Sequence, residues 1–429
     1  MIISSGLAII INSKILLVKP KGLEEGFYSI PKGLVEKNES ILDTAIRETY
    51  EETGVLISKD LIDKTPHICN YVSNSGKITK RVYYFVVKIE SYELIKQGEI
   101  DFLEIDSYNF YERQHAEKVI YWKMLSILNH LNPSKFSTKE LLLLEQLKIV
   151  KRVKHPVYPI FLYNYTDKCK QFQLWNDTTL WCRGLVLDTN GYVIARPFKK
   201  FFEEHQLYNE FKPSQNKPKI YEKIDGALGI MFFYKEKLIF CNRQSFKSRQ
   251  AVVASEIFYK KHAKQLDKLS HNNRTYLFEI VYPNNRFVVN YGVEENLYLL
   301  GIIENNTGKL VTEETQFKMP KIIKGNSIIS DRKHEGFVIN YDDGFKIKIK
   351  TDTFKSRYIE IDEIKKNIAR NILSLNQKNI RKNWNVDYFN LYHIFKRKYL
   401  LLYLKYYRYR ILTHEEIVHK IKILKVFPG

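Results

Sequence analysis

Cysteine is scarce: Cys69, Cys169, Cys182 and Cys241 lie far apart and form no CxxC pair. Neither a disulfide framework nor a structural zinc site is expected, and a reducing, cytoplasmic setting follows. No run approaches the roughly 18 uncharged apolar residues of a membrane span, so no membrane partner is expected. The opening MIISSGLAIIINSKILLVKP has no basic leader or small-residue cleavage site, and Asn12, Ser13 and Lys14 read as a turn between two strand-like runs. Internal repeats and long low-complexity tracts are missing as well. Acidic residues are the last shortage: 48 Asp+Glu against 69 Lys+Arg leave a formal charge of +21.

That charge is unevenly placed. Residues 1–130 carry 16 Lys+Arg against 18 Asp+Glu, residues 361–429 carry 15 against 5, and the remaining +13 falls on residues 131–360. A lysine-rich, AT-biased genome would explain a general excess but not this asymmetry. A polyanion is therefore expected as partner of the second and third segments, because each neutralised phosphate releases counterions.

At 429 residues the chain is longer than one hydrophobic core supports, so two or three domains are expected. Strand-like runs at Gly6 to Ile11, Lys14 to Val18 and Arg81 to Ile89, a helical stretch from Ser40 to Thr53 and an amphipathic run from Gln114 to Leu128 predict a compact α/β domain over residues 1–130. Asn132, Pro133 and Ser134 break the pattern, and Ser137 with Glu140 reads as a capping box before LLLLEQL. From about residue 155 to 350 the chain reads mostly as short strands rich in Val, Ile, Phe and Tyr, with turns at Thr189-Asn190-Gly191, Asn305 to Gly308 and Asp342-Asp343-Gly344; an antiparallel-sheet domain over residues 131–360 is expected. Residues 361–429 turn helical, with Thr413 and Glu416 capping a last helix. The fold class expected is a multidomain α+β protein.

In GLVEKNESILDTAIRETYEETGV, residues 33 to 55, Glu48, Glu51 and Glu52 fall three and four residues apart on one helix face. Three carboxylates there repel unless a cation sits between them, and hard oxygen donors suit magnesium or manganese. Gly33 lets its backbone approach the metal, while Arg47 can hold a neighbouring carboxylate by a forked hydrogen bond. A solvated acidic helix face is the plainer reading, and it leaves the glycine and arginine unexplained.

This string resembles the Nudix hydrolase motif at Gly33, Glu39, Arg47, Glu48, Glu51, Glu52 and Gly54, departing only at the first aliphatic slot, Thr49. The resemblance covers about residues 1–128. It implies an α/β/α sandwich that hydrolyses a nucleoside diphosphate linked to another group, with Glu48, Glu51 and Glu52 as metal ligands, Glu48 and Glu52 catalytic, and Glu39, Arg47 and Gly54 in support. Pro31-Lys32-Gly33 and Tyr83-Tyr84-Phe85 look like the dinucleoside polyphosphate and decapping branch.

Lys223-Ile224-Asp225-Gly226 is a KxDG tetrapeptide, which alone says little and reads equally as a surface turn. A lysine there can attack the α-phosphate of ATP as a free amine where neighbouring cations lower its pKa, and Arg183, Lys200, Lys348 and Lys350 are candidates. With FLYNYTD (161–167), CRGLVLD (182–188), ARPFKKFF (195–202), NRQSFKS (242–248), YLFEIVYPNNRFV (276–288), EGFV (335–338) and KIKTDTF (348–354) in order around it, the segment resembles covalent nucleotidyltransferases, and among them the phage-type RNA ligases that repair tRNA. The resemblance implies an ATP-grasp-like ligase domain in which Lys223 carries AMP and Arg183 and Lys200 hold the ATP phosphates. Glu279 would meet the ribose, Glu335 a metal, and Lys348 and Lys350 the α-phosphate; Asp225, Gly226 and Lys247 complete the ATP-binding set. Gln244 stands where the resemblance leads one to expect glycine.

The stretch IFKRKYLLLYLKYYRYR (394–410) interleaves six cations with five tyrosines and a phenylalanine, offering phosphate contacts and stacking faces for bases as well as ordinary helix packing. A DNA ligase would follow its lysine domain with a strand-rich barrel, so a helical segment favours the RNA ligase branch. The leading expectation is a bifunctional RNA end-repair enzyme acting on RNA such as tRNA, with magnesium or manganese at both sites and ATP as co-substrate. Its Nudix half would cleave an adenylated or capped 5′ end, or a dinucleoside polyphosphate. An mRNA-capping guanylyltransferase, and a ligase carrying a non-catalytic Nudix module, are the alternatives.

Overall fold

The computed structural model describes residues 1–359 apart from 25–26, 74–76, 99–103, 204–205, 207–217, 286–287, 324–334 and 342–344. The helical segment expected after residue 360, with its Thr413 cap and tyrosine-rich stretch, and the turn at 342–344 lie outside the described residues. The chain forms two compact units, one of Met1–Arg286, Asn290–Ile328 and Phe337–Ile349, the other of Phe287–Val289, Ile329–Gly336 and the chain from Lys350 onward. Among the described residues no helix is long and apolar enough to cross a membrane.

The larger unit begins with a mixed sheet in the order His67–Val72, Ile78–Ile89, Ile2–Ile11, Lys14–Pro20, Ile105–Glu112, with Lys32–Leu34 paired on Ile2–Ile11. Asn12 and Ser13 both take positive φ, 48° and 64°, which matches the twist of the hairpin they close. Ile2–Ile11 then pairs in parallel with Ile78–Ile89, and within them Leu7 to Ile11 and Val82 to Val87 are unbroken buried apolar runs because each face is covered there. Leu7, Ile9, Phe85 and Val87 pack with Ala45 of helix α1 (Ile41–Thr53). Ala8, Ile10, Tyr84 and Val86 pack with Met124, Leu125 and Leu128 on the other face.

Helix α1 starts at Ser40, whose Oγ accepts the Asp43 N–H at 3.1 Å, and stops at Gly54, whose φ of +67° lets its N–H reach Tyr50 O at 2.7 Å. The run expected as one amphipathic stretch from Gln114 to Leu128 is broken in two: helix α2 (Arg113–Val119), then a 3-10 turn over Trp122–His130. Its interruption has a tertiary cause. Tyr28 N donates to Val119 O and Tyr28 O accepts from Tyr121 N, a strand-like pairing that takes the backbone groups a continuing helix would use.

Helix α3 (Thr138–Gln146) is capped by Ser137 as expected, but only half of the capping box forms. The Glu140 carboxylate turns away from the cap and accepts from Asn176 Nδ2 at 2.9 Å and Thr178 Oγ1 at 2.6 Å. Two short helices follow, α4 (Asp167–Gln171) and α5 (Asp177–Trp181). The remainder is antiparallel sheet for the most part. Val193–Ala195, Arg183–Asp188, Ile160–Tyr165 and Val150–Lys154 form one sheet, and Phe202–Glu203, Lys346–Lys350, Gly336–Asn340 and Lys219–Lys223 a second. A third, in the order Lys237–Cys241, Ala227–Tyr234, Arg274–Val281, Asn296–Glu304, Leu310–Val311, packs against helix α6 (Arg249–Lys261). The chain is thus a multidomain mixed α/β protein rich in sheet.

Candidate functional site

On α1 the carboxylates expected as metal ligands occupy unequal surroundings. Glu48 is buried and Glu51 is half exposed, while Glu52 Oε2 accepts from Lys32 N–H at 3.0 Å. Burial, with Glu48 and Glu104 nearby, pushes the Glu52 carboxyl up to about 7 against the opposing pull of Lys32, and burial raises Glu48 as well. Arg47 gathers the group: Nε meets Glu39 Oε1 at 2.9 Å, and Nη1 reaches Glu48 at 2.9 Å and Glu51 at 2.8 Å. Hydrogen bonds from Arg47 and Thr44 hold Glu39 down to about 2, so its charge is secure at any ordinary pH.

Gly33 pairs with Ser5 on the facing strand, and a Cβ built there would overlap the Glu48 carboxylate. The Gly33 backbone thus lies against the Glu48 carboxylate, while the three expected ligands Glu48, Glu51 and Glu52 are not all within 4.8 Å of one another. Their hard oxygen donors are of the kind a divalent cation takes, and Gly33, Glu48, Glu51 and Glu52 would hold one by drawing together around it.

Sequence spacing missed three neighbours of this site. Glu104 reaches the carboxylates from the start of the Ile105–Glu112 strand. Lys80 lies near Lys32 and is directly opposite Tyr71 across the strand pair, which puts Tyr71 on the same face. Tyr71 packs edge-on to Tyr121, Tyr121 stacks on Phe27, and Lys123 lies 4.6 Å above the Tyr71 ring. No local motif marks these residues, because the sheet brings them together from separate segments.

In the ligase-like part, Lys223 is the last residue of its strand and leads into the Ile224-Asp225-Gly226 turn rather than lying within it. Tyr291 accounts for that turn's position, since its hydroxyl accepts the Asp225 N–H at 2.9 Å. Gly226 approaches so closely that a Cβ would stand 2.6 Å from Ile280 O and 3.0 Å from Glu279 Cγ. Glu279 faces Leu228 in the strand pair beside the turn.

Arg183 opens its strand at Gly184, whose φ of +104° only glycine adopts comfortably. Burial lowers the Arg183 pKa, with Arg243 adding to it and Tyr165 and Glu279 opposing. Burial, then Lys348 and Arg183, holds the Lys200 amine down to about 7. Arg183, Lys200, Lys348 and Glu279 are thereby brought together, with Lys348 3.9 Å from Glu203.

Lys247 falls beside His155, and its backbone N–H bonds Ser245 Oγ. The Asn242 side chain accepts from Gln244 N and Ser245 N, and Gln244 keeps a negative φ, so the turn has no need of glycine there. In the smaller unit, Glu335 is buried and lies 3.9 Å from the Lys350 amine, which stands over Phe354.

A cavity of about 630 Å³ opens beside Lys200, walled by Trp181, Phe198, Phe202, Lys199 and Lys346; Lys223 is not among its lining residues. Against it lies a buried polar cluster centred on Asp177. Asp177 Oδ1 meets His67 Nδ1 and Lys199 Nζ, each at 3.0 Å, while Oδ2 accepts from the Tyr84 hydroxyl and His130 Nε2.

A carboxylate helix set over a glycine strand on a mixed sheet defines one class, and a lysine turn among antiparallel strands and buried cations defines another. Residues 3–128 match the NUDIX domain and residues 181–329 match the RNA ligase family. The chain is accordingly an enzyme that joins a Nudix hydrolase domain to an RNA ligase domain.

Among solved structures, it is similar to a Caenorhabditis elegans Ap4A hydrolase at 24% identity, over 30% of this chain and 93% of that one, with a TM-score of 0.24. A bifunctional NMN adenylyltransferase/ADP ribose pyrophosphatase from Francisella tularensis matches at 17% identity, over 30% and 41% of the two chains, with a TM-score of 0.26. A Naegleria gruberi RNA ligase variant with ATP and Mn matches at 14% identity, over 33% and 51%, with a TM-score of 0.28.

Proposed function

We propose that the chain seals RNA ends through a lysyl-AMP intermediate and hydrolyses pyrophosphate-linked adenylates at its Nudix site. The observation that carries the ligase half is the gathering of Arg183, Lys200 and Lys348, where burial first and like charge second hold the Lys200 pKa down, with Lys348 in the same sheet as Lys223 and Glu279 near Arg183. Such a group suits a polyphosphate.

In the first step the Lys223 amine attacks the α-phosphorus of ATP; an N–P bond forms, the α–β bridging bond breaks, pyrophosphate leaves and the amine proton passes to solvent. The 5′-phosphate of an RNA strand next displaces lysine and takes the AMP. A 3′-hydroxyl then attacks that 5′-phosphate, expels AMP and closes the phosphodiester. Arg183 and Lys200 would grip the leaving phosphates, Lys348 and Lys350 the α-phosphate, and Glu279 the ribose, with Glu335 on a metal.

At the other site, Glu48 and Glu52 would hold the reacting groups while Arg47 fixes the carboxylates and Lys32 and Lys80 face the diphosphate. A divalent cation, magnesium or manganese, supplies charge neutralisation and water activation there when bound. Tyr71, Tyr121 and Phe27 offer a stacking surface for a base. The adenylated 5′ end of an RNA, or a dinucleoside polyphosphate formed when a stray nucleotide attacks the lysyl-AMP, has the linkage this site would cleave.

Incubation with α-labelled ATP leaves a radioactive protein band that Lys223→Ala abolishes and that GTP does not reproduce. A band from GTP alone would instead assign a capping guanylyltransferase.

A further inference from the structure

The Asp177 cluster lies outside both proposed reaction centres, yet its partners come from both parts of the chain. His67, Tyr84 and His130 belong to the NUDIX-matched segment or the turn that ends it, whereas Asp177 and Lys199 belong to the ligase-like part. Asp177 is 3% exposed. Burial alone would raise its pKa, but His67, Lys199 and His130 outweigh burial and keep it well below the usual carboxylate range. Burial holds His130 down to about 4, so at neutral pH it meets Asp177 as a neutral ring. Both carboxylate oxygens are occupied, one of them by the Lys199 ammonium, so the cluster is a closed network.

The stretch around Asp177, residues 173–181, makes four more hydrogen bonds to three residues of the chain before it. Asn70 Nδ2 donates to Gln173 O at 2.9 Å, Asn129 Nδ2 to Thr178 Oγ1 at 2.8 Å, and the Glu140 carboxylate accepts from Asn176 and Thr178. At the far end of α5, Leu180 O accepts the backbone N–H of Lys200 at 2.8 Å. The Lys200 amine stands 4.1 Å over the Phe202 ring and 5.2 Å over Trp175, a residue of the same stretch. Residues 173–181 thus locate Lys200 twice, by backbone and by side chain. Lys200 needs such support, because Lys348 and Arg183 beside it repel its charge and would drive an unsupported amine toward solvent.

We infer that the Nudix domain also has a structural role in ligation, because through His67, Tyr84 and His130 it pins Asp177 and α5, and so positions Lys200 for ATP in the ligase half. Asp177 is in this sense a positioning residue. The inference rests on the reading of Lys200 as a phosphate contact, and it is independent of any turnover at the Nudix carboxylates.

The test uses the full chain and follows covalent adduct formation against ATP concentration, with the thermal transition of each variant recorded beside it. His67→Ala/His130→Ala raises the ATP concentration for half-maximal rate about tenfold, with the maximal rate changed by less than about threefold. His67→Gln/His130→Gln, which returns an N–H donor toward each Asp177 oxygen, recovers most of the loss. Lys199→Gln, a substitution at a partly exposed side chain, shifts the ATP dependence in the same direction and serves if the double alanine variant does not fold. Unchanged ATP dependence in folded variants overturns the inference and leaves the ligase reading standing. Absence of any adduct in the wild type overturns both.

Discussion

Glu52 shows how one carboxylate trades stability for chemistry. Its folded pKa of about 7 lies above the ordinary glutamate value of 4.5, so the folded state holds the proton more tightly and stability falls as pH rises from about 4.5 through 7. In cation-free buffer at pH 8, Glu52→Gln stabilises the fold by about 1 to 3 kcal/mol, and the gain shrinks to nothing near pH 4; melting curves across pH check this. Hydrolysis of adenylated RNA should fall to background in the same variant, and equal activity would leave the Nudix part a binding module. Gly226 is the other residue whose cost is set by close approach. Gly226→Ala drives a Cβ against Ile280 O, which should cost about 1 to 3 kcal/mol in chemical denaturation and weaken adduct formation at Lys223. Both positions were legible from spacing, since glycine and carboxylate patterns mark where backbones and charges must meet. Glu104, Tyr71 and Tyr291 were not, because each enters its site from a strand or loop remote in sequence.

Elements follow local rules until a tertiary contact offers a better partner. Helix α1 keeps its Ser40 start and Gly54 stop because both signals act within one turn. The run after Gln114 loses its continuity to Tyr28, and the Ser137–Glu140 box loses its second half to Asn176 and Thr178. Burial raises Glu140 to about 7 while those two donors pull it down. Glu140→Ala would leave both donors unsatisfied beside α5 and should cost about 2 to 3 kcal/mol, whereas Glu140→Gln, which keeps an acceptor, should cost less; urea unfolding of the pair separates them. Equal costs would mean that the carboxylate's charge, which both variants remove, rather than its hydrogen bonding, holds the stretch.

At the scale of the molecule, charge is the property most evenly readable from composition. With +13 on residues 131–360, binding of a 5′-phosphorylated single-stranded RNA should weaken about tenfold or more between 50 and 200 mM salt, as counterion release requires. A flat salt response in a filter-binding titration would remove the polyanion as partner. The Nudix carboxylate helix, the order of the ligase blocks and the uneven charge could be read from residue types alone, because residue type and short spacing encode helix faces, turns and local electrostatics. The fold added what spacing leaves open: Lys200 is buried with Lys348 and Arg183 near it, Lys247 falls beside His155, and Asp177 joins His67 to Lys199. Contacts between residues more than a hundred positions apart depend on strand order and on which faces become buried, and no local pattern of side chains carries that information.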